Sequence, residues 1–336
     1  MKTVVIDILH PAHLNLFKGI INDKSNGINF IVICINRGKL PLIVKEEINS
    51  VPVKIIGKHR GTFFSIIFEA NIIRFFQIFS YLLFKKVDIG LSFGSFILGA
   101  VLKLKGTKNY HLSDDPERKL NAILENLTCN KRYLPPFVES TGKVKIFNAL
   151  KEWAYLSPQY FKPNVKIIEE LGLKQKTYIF VREVSTGSLN YLGQEKNIVA
   201  SFSNDFPAEY EVVLSLEDKS TINQYPEHWK LLKEPIKDIH SIMYYSKLVV
   251  SSGDSMAREG GMLGVPSVYF GFREMKANSI LIDKGILLNL KPTDAKDFFA
   301  NLAENEVFKI NQDEFRNKLK SEWVDMNQFL LDIINQ

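Results

Sequence analysis

Short apolar runs alternate along the first half of the chain with longer segments of mixed polarity. The run Lys2–Ile8 is almost continuously apolar, which is typical of a strand that is covered on both faces. The same pattern predicts further strands over Asn29–Ile35, Val53–Ile56, Val87–Ser92 and Asn109–Leu112, and helices over Leu14–Ile21, Thr62–Phe84 and Gly94–Leu104. This alternation predicts a doubly wound α/β sheet whose strands are mostly parallel.

A second series of the same kind begins after a proline-punctuated stretch between residues 131 and 176. Its predicted strands are Thr177–Val181, Glu211–Leu216, Lys247–Ser251 and Pro266–Phe270, and its helices include Asp238–Tyr245, Ser255–Leu263 and the amphipathic Asp313–Ile334. We therefore expect two doubly wound domains, over residues 1–155 and 165–312, which face a cleft. Ligands of such sheets bind beyond the carboxyl ends of the strands. The helix at 313–336 is expected to pack back on the first domain.

The composition indicates a globular protein of about two domains. Of 336 residues, 46% are apolar and 24% are charged, which excludes a disordered or collagen-like chain. The two cysteines, Cys34 and Cys129, predict neither a disulfide framework nor a zinc site, and they fit a reducing cytoplasm. The first residues have the pattern of a strand and not of a signal peptide. The net charge of +6 is spread thinly, which argues against nucleic-acid binding but permits an anionic small molecule or lipid head group.

The most informative motif lies in the segment Val249–Phe270. A buried strand runs into Ser252 and Gly253, and a helix follows. Gly253 would allow a tight turn, and the free N–H groups and dipole of the helix start favour a phosphate. Glu259 lies four residues after Ser255 and so on the same helix face, where its carboxylate can accept hydrogen bonds from both hydroxyls of a ribose.

Other residues of this segment allow a different interpretation. Gly260 and Gly261 would let the helix pack closely on a neighbour, and the glycines of the segment can serve packing alone. Asp254 stands at the start of the expected phosphate-binding helix, where an acid repels the ligand unless it points away or caps the helix.

The segment resembles the sugar-nucleotide signature of two groups of GT-B fold proteins. These are the glycosyltransferase that forms lipid II and the non-hydrolysing UDP-N-acetylglucosamine 2-epimerases, in which a Ser-Gly loop meets the diphosphate and a following glutamate binds the ribose. The corresponding residues here are Ser252, Gly253, Ser255 and Glu259. The whole chain resembles the domain of unknown function 354 family, with which it shares Asp7, Pro11, Ala12 and His13. The resemblance implies a GT-B-like fold and no requirement for a metal or other cofactor.

Candidate acceptor-side residues lie in the first half. His10 and His13 follow the first strand, at the edge where the cleft is expected. A histidine with a pKa of about 6.5 can take a proton from an acceptor hydroxyl. We assign that role to His13, which matches the family pattern; the alternative is a helix cap or a backbone contact. Gly94 and Ser95 suit contact with acceptor or phosphate, or else close packing of helix on sheet.

Further polar residues follow other strands. Asp114 is a candidate for substrate contact, whereas Asp115 before Pro116 is explained as a helix cap. Arg182 can neutralise a diphosphate, and Arg273 is either a cleft residue or a solvated one. Residues 186–188 supplement the phosphate site or form a plain turn. No group of His, Cys and carboxylate residues has the spacing of a metal site.

The stretch Thr62–Phe84 is the most apolar of the chain. Glu69, Asn71 and Arg74 interrupt it, so it is not expected to span a bilayer. Two interpretations stay open. The stretch is a core helix, or it is a membrane-surface helix with basic neighbours such as Lys85.

These features predict a glycosyltransferase that uses a nucleotide-diphosphate sugar, most simply a UDP-sugar, in surface polysaccharide or glycolipid biosynthesis. The second domain would bind the donor, and the first a sugar or lipid-linked acceptor, with His13 and Asp114 as catalytic groups. The expected location is the cytoplasm or the inner face of the membrane. One alternative is a sugar-nucleotide 2-epimerase. Such epimerases carry a His-Arg-x-x-Asn-like stretch where this chain has Val181-Arg182-Glu183-Val184, which argues against that chemistry. The other alternative is a non-catalytic sugar-nucleotide or membrane-surface module.

Overall fold

The computed structural model describes residues 1–60, 65–185, 195–233, 236 and 238–336. These residues form two compact units. The first unit comprises Met1–Tyr155 and Glu322–Gln336, and the second comprises Leu156–Ser321. The segment at the end of the chain therefore belongs to the unit in which the chain begins.

Parallel strands and flanking helices make up both units. The strands are β1 (Thr3–Ile8), β2 (Asn29–Asn36), β3 (Val53–Lys58), β4 (Ile89–Phe93), β5 (Lys108–Leu112), β6 (Lys131–Leu134), β7 (Val144–Ile146), β8 (Tyr178–Glu183), β9 (Glu211–Leu216), β10 (Lys230–Leu231), β11 (Leu248–Ser251), β12 (Ser267–Tyr269) and β13 (Leu287–Asn289). The α-helices are α1 (Pro11–Asn22), α2 (Leu40–Glu47), α3 (Arg74–Leu82), α4 (Phe96–Leu104), α5 (Lys119–Thr128), α6 (Trp153–Leu156), α7 (Val165–Glu170), α8 (Ile239–Tyr245), α9 (Asp254–Met262), α10 (Lys276–Ile282), α11 (Ala295–Ala300), α12 (Gln312–Glu322) and α13 (Met326–Asn335).

The strand orders of the two sheets follow one plan. They are β3-β2-β1-β4-β5-β6-β7 in the first unit and β10-β9-β8-β11-β12-β13 in the second. The order reverses between β1 and β4 and again between β8 and β11, which are the switch points where ligands of such sheets bind. The prediction of two doubly wound parallel sheets is confirmed. The strands missed by the sequence pattern, β6, β7, β10 and β13, have two to four residues each.

Helix starts differ from the prediction where a cap residue decides them. α1 begins earlier, because Pro11 fits its first turn and His10 caps it. α4 begins later, because Gly94 has the left-handed φ of 63° and lies outside the helix. The predicted cap at Asp115 is wrong, since α5 begins only at Lys119.

The predicted single helix at the end of the chain is two helices. Asp325 interrupts it and caps α13 by accepting from the backbone N–H groups of Asn327 and Gln328. α13 packs on α1, and the Lys2 ammonium donates to the carbonyl of Ile334 at 2.7 Å.

The predicted aromatic helix is described from Ser65 onward, and residues 62–64 lie outside the described part. A π-helix over Ser65–Ile73 leads directly into α3. At the junction Arg74 is buried, and its guanidinium reaches Asp7 in β1 and the carbonyl of Ile56 in β3. Among the described residues, the structure contains no helix with the length and apolarity needed to cross a bilayer.

Candidate functional site

The loop after β11 lies at the switch point of the second sheet. Ser251 ends β11 and pairs in register with Arg182 of β8. The Ser251 hydroxyl accepts from the N–H of Gly253 at 3.0 Å and donates to the Gly253 carbonyl at 2.8 Å. The loop that leads into α9 is therefore fixed by its own serine.

Gly253 and Ser252 of this loop have structural roles that differ from those predicted from the sequence. Gly253 has φ −110° and ψ 129°, an extended conformation open to any residue, so the predicted need for glycine in a tight turn is wrong. The N-cap Gly253 also brings no side chain to the start of α9. The Ser252 hydroxyl is buried and accepts from the N–H of Val184 at 3.0 Å, which ties the loop to the end of β8.

The charge of Asp254 is balanced inside the protein. Its Oδ2 lies 3.0 Å from Nη1 of Arg258, one turn along α9, and both side chains are buried. Arg273 lies near the other carboxylate oxygen, with its Nη1 at 3.9 Å from Oδ1 of Asp254. The guanidinium of Arg258 also donates to Asn278 and, at 3.4 Å, to the Ser255 hydroxyl. The acid that could repel a phosphate thus faces two arginines instead.

Glu259 stands on the same helix and is only 8% exposed at its side chain. Its Oε2 lies 3.3 Å from Nε2 of His240 in the first turn of α8. The next residue, Gly260, packs against the sheet so closely that a Cβ there would lie 2.4 Å from the Ser267 hydroxyl and 2.9 Å from Cβ of Val249. The expectation that this glycine allows close packing is confirmed. Nothing in the sequence pattern indicated His240.

Arg182 is already engaged at the end of β8. Its Nη1 donates to the Ser215 hydroxyl at 2.9 Å and its Nη2 to Glu217 at 2.6 Å. A ligand that used this arginine would have to compete with Glu217. The suggested supplementary residues 186–188 lie outside the described residues.

A small cavity of about 180 Å³ opens at the ends of β8 and β9, where Glu183 lines it with Lys196 and Asp218. The Glu183 carboxyl accepts from the N–H of Val199 and the hydroxyl of Tyr225. Burial raises the pKa of Glu183. These hydrogen bonds indicate that Glu183 stabilises the fold beside the loop after β11.

In the first unit, polar residues gather at the carboxyl ends of β1, β4 and β5. His10 is exposed and its Nδ1 accepts from the N–H of Ala12, so it caps α1. His13 is half-buried, its Nδ1 lies 3.4 Å from the N–H of Leu9, and its ring lies 5.1 Å from that of Phe93. Burial, and then the neighbouring positive groups, hold the pKa of His13 well below its usual value. His13 is therefore neutral at pH 7.

Asp114 is held by a lysine that the sequence analysis missed. The Lys151 ammonium bonds Asp114 directly and Glu152 at 2.9 Å, and all three residues are buried. The same ammonium lies 5.3 Å from the centre of the Phe93 ring. Phe93 thus links the ring of His13 to the Lys151–Asp114 pair. Only the fold brings these groups together.

The two residues at the start of α4 differ in surroundings. A Cβ on Gly94 would lie 4.0 Å from Cε1 of His13, so the backbone of Gly94 passes beside that ring. Ser95 is buried and donates to Asp7 at 2.7 Å, within the cluster that holds Arg74. This contact with Asp7 gives Ser95 a place in the core.

A second buried chain of polar groups was also missed. The Ser92 hydroxyl lies 2.9 Å from Nδ1 of His111, whose Nε2 lies 3.3 Å from Glu125, which pairs in turn with Arg132. A serine, a histidine and an acid linked in this order resemble the catalytic triad of a serine hydrolase, but each of the three residues is at most 3% exposed. No substrate can reach this serine, and the network joins β4, β5, α5 and β6. Among the described residues, no group of three or more His, Cys, Asp or Glu side chains could hold a metal ion.

Comparison with known proteins identifies the family and the fold. Residues 2–334 match the family described as "Protein of unknown function (DUF354)". No curated protein matches the sequence. The fold is similar to the Methanocaldococcus jannaschii UDP-GlcNAc 2-epimerase, solved in complex with UDP-GlcNAc and UDP, at 13% identity and a TM-score of 0.71 over 100% of this chain and 99% of the epimerase chain.

Two glycosyltransferase structures are also similar. The spinosyn forosaminyltransferase SpnP shares 11% identity and a TM-score of 0.71 over 100% of both chains. Acinetobacter baumannii MurG shares 12% identity and a TM-score of 0.61 over 100% of this chain and 99% of its own. The two sheets with their helices thus match the two-domain, Rossmann-like GT-B fold.

Proposed function

Because the chain belongs to the DUF354 family and has the GT-B fold, we propose that it is an enzyme that acts on a nucleotide-diphosphate sugar. The observation that carries the proposal is the start of α9 at the switch point of the second sheet. There Gly253 adds no capping side chain, Ser255 adds a hydroxyl, and Glu259 follows one turn later. A diphosphate at the helix start would meet N–H groups and the positive end of the dipole.

The charges around this helix support an anionic ligand. Asp254 is paired with Arg258, and Arg273 lies beside them. In this arrangement the acid no longer opposes a phosphate at the helix start, and Arg273 can add a positive charge as the diphosphate leaves. Glu259 would accept from the ribose hydroxyls. UDP is the proposed nucleotide, since the similar M. jannaschii epimerase was solved with UDP-GlcNAc and UDP.

We propose glycosyl transfer as the reaction, with a sugar or lipid-linked acceptor for surface polysaccharide or glycolipid. His13 would take the proton of the acceptor hydroxyl at Nδ1, in place of the 3.4 Å contact that this nitrogen makes with the N–H of Leu9. Its lowered pKa keeps the imidazole neutral at pH 7, which is the form that accepts a proton. Asp114, charge-paired with Lys151, would contact the acceptor, and Gly94 would let it approach His13.

Binding is tested by calorimetric titration of UDP and UDP-GlcNAc into the wild-type protein and Glu259→Gln. The substitution keeps the size of the side chain and removes the charge, so the affinity should fall by about ten-fold or more. Glu209→Gln, at an exposed position of the same unit, is the control and should bind like the wild type. Wild-type protein that binds no nucleotide sugar contradicts the proposal.

The reaction is tested by incubating the protein with UDP-sugar alone and with candidate acceptors. Transfer that requires an acceptor and is lost in His13→Ala supports the glycosyltransferase. Epimer formation without acceptor supports the 2-epimerase alternative. Nucleotide binding with no turnover of either kind supports the non-catalytic module.

A membrane location is part of the proposal, because exposed apolar side chains cover one helical layer of the first unit. α4 lies between α3 and α5 in this layer. The apolar side chains of the layer that are more than half exposed are those of Phe76, Phe84, Leu104, Leu120, Ile123 and Leu127. These side chains extend beyond the predicted 62–84 stretch to α5, where residues 120, 123 and 127 share one face.

The charge of this layer suits an anionic bilayer. Glu125 is the only acid in α3, α4 and α5, and it is buried against Arg132. Lys103 and Lys105 donate to the carbonyls of Leu127 and Leu83, which fixes two cations among the exposed apolar residues. Beside α3, a groove of about 940 Å³ along the edge strand β3 is lined in part by Lys54, Lys58 and one acid, Glu69. Apolar residues ringed by lysines are typical of peripheral membrane binding.

Vesicle co-sedimentation tests this location. Wild-type protein should bind vesicles of phosphatidylcholine and phosphatidylglycerol and bind pure phosphatidylcholine much less. The triple substitution Leu120→Gln, Ile123→Gln and Leu127→Gln should weaken binding by about ten-fold. Leu42→Gln in α2, which is 71% exposed outside this layer, is the matched control. Equal binding by the triple variant contradicts the assignment of the layer.

A further inference from the structure

His240 lies beside Glu259, and the proposed function does not yet use it. The contact joins the first turn of α8 to α9, with 3.3 Å between Nε2 of His240 and Oε2 of Glu259. Both side chains are largely buried, at 18% and 8% exposure. The position of His240 therefore bears directly on where the carboxylate lies.

The start of α8 is held firmly. Asp238 caps the helix with the left-handed φ of 46°, a costly conformation for a residue with a side chain. Its carboxylate accepts from both the N–H and the hydroxyl of Ser241, at 3.1 and 2.6 Å. The buried Ser241 hydroxyl accepts in turn from the N–H of Asn164 at 2.9 Å. The backbone that carries His240 is thus fixed on two sides.

The imidazole ring and its carboxylate partner are also constrained. Phe161 meets the His240 ring edge to face, with the ring centres 6.3 Å apart. Arg316 lies 5.6 Å from the centre of the Phe161 ring, a cation–π contact that helps to hold this ring. On the other helix, Gly260, next to Glu259, packs α9 closely against the sheet.

We infer that His240 is a positioning residue that orients the Glu259 carboxylate for the vicinal hydroxyls of a ribose. The inference rests on the proposed binding of a nucleotide at this helix. An ionised carboxylate has about four acceptor positions, so an imidazole at one oxygen is compatible with hydroxyl donors at the others. A carboxylate that is oriented before the ligand arrives loses less side-chain entropy on binding.

The test compares two ligands that differ only in the hydroxyls concerned. UDP and 2′,3′-dideoxyuridine 5′-diphosphate are titrated into wild-type protein, His240→Ala and His240→Gln. His240→Ala should weaken UDP about ten-fold and leave the dideoxy ligand nearly unchanged, because only UDP uses the oriented carboxylate. His240→Gln, whose amide N–H stands in for Nε2–H, should recover most of the affinity for UDP.

Two results would overturn the inference and leave the proposed function intact. Equal weakening of both ligands by His240→Ala would mean a general structural role, and unchanged affinity for both would mean no role. His228→Ala, at an exposed histidine of the same unit, controls for the loss of an imidazole. Wild-type protein that fails to bind UDP overturns the proposed function itself, and this inference with it.

Discussion

Two buried acid–arginine pairs, one in each unit, join residues that lie at very different distances along the chain. In the second unit, Asp254 pairs with Arg258 four residues later in one helix. In the first unit, Asp7 pairs with Arg74, which is 67 residues away and on the far side of two strands in the sequence. The first arrangement is a property of a segment and the second a property of the assembled sheet. A motif in the sequence can therefore locate the Asp254–Arg258 pair but not the Asp7–Arg74 pair.

The largest expected effect is a loss of unfolding free energy that differs between these two pairs. Arg74→Met leaves Asp7 buried without its cation and should lower the free energy of unfolding by about 3–5 kcal/mol. Arg258→Met should cost less, since Arg273 stays near Asp254. Urea unfolding followed by circular dichroism measures both. The double variant Asp7→Asn with Arg74→Met should recover part of the loss, and equal costs in the two units would contradict the comparison.

A second substitution sharpens the local nature of the α9 motif. Gly260→Ala places a Cβ 2.4 Å from the Ser267 hydroxyl and 2.9 Å from Val249, and this overpacking should cost about 1–3 kcal/mol. Gly261→Ala is the matched control, because its Cβ would meet side-chain atoms only at 3.2 Å and beyond. Unfolding midpoints in urea report both effects. A larger loss at Gly261 would show that the helix is held elsewhere.

The smallest effect concerns protons in the first unit. The pKa of His13 is lowered in the folded protein, so the unfolded chain binds the proton more readily. His13 therefore contributes stability above its unfolded pKa, and this is lost as the pH falls below about 6.5. The change in unfolding free energy with pH that His13 causes is at most about 1.4 kcal/mol per pH unit, the value for one proton. His13→Asn should flatten the fall in unfolding free energy between pH 7 and 5, and a steeper fall would contradict it.

The sequence predicts most of the fold because strands that are covered on both faces are continuously apolar. The run over β1 and the motif after β11 each predict a strand that the structure places at a switch point, although the sequence pattern does not give the strand order. Helix bounds fail where a single cap decides them, as Asp325 does between α12 and α13. The propensity of a segment does not reveal which of its polar residues will find a backbone N–H.

The candidate sites follow the same rule. Ser255 and Glu259 share a helix face, so four residues of spacing suffice to place them together. His240 and Lys151 could not be found in this way, because each meets its acid only after separate helices or loops have packed. The roles assigned to His13, Asp114 and Glu259 stay predictions until ligands are measured.

The return of the chain to the first unit sets an order for its assembly during translation. The ribosome releases all of Leu156–Ser321 before the residues of α13, which pack on α1. Until then the α1 surface that α13 contacts stays uncovered, although all residues of the second unit have already been synthesised. The half synthesised first is therefore completed last, and a stalled nascent chain would expose apolar surface of α1 to chaperones.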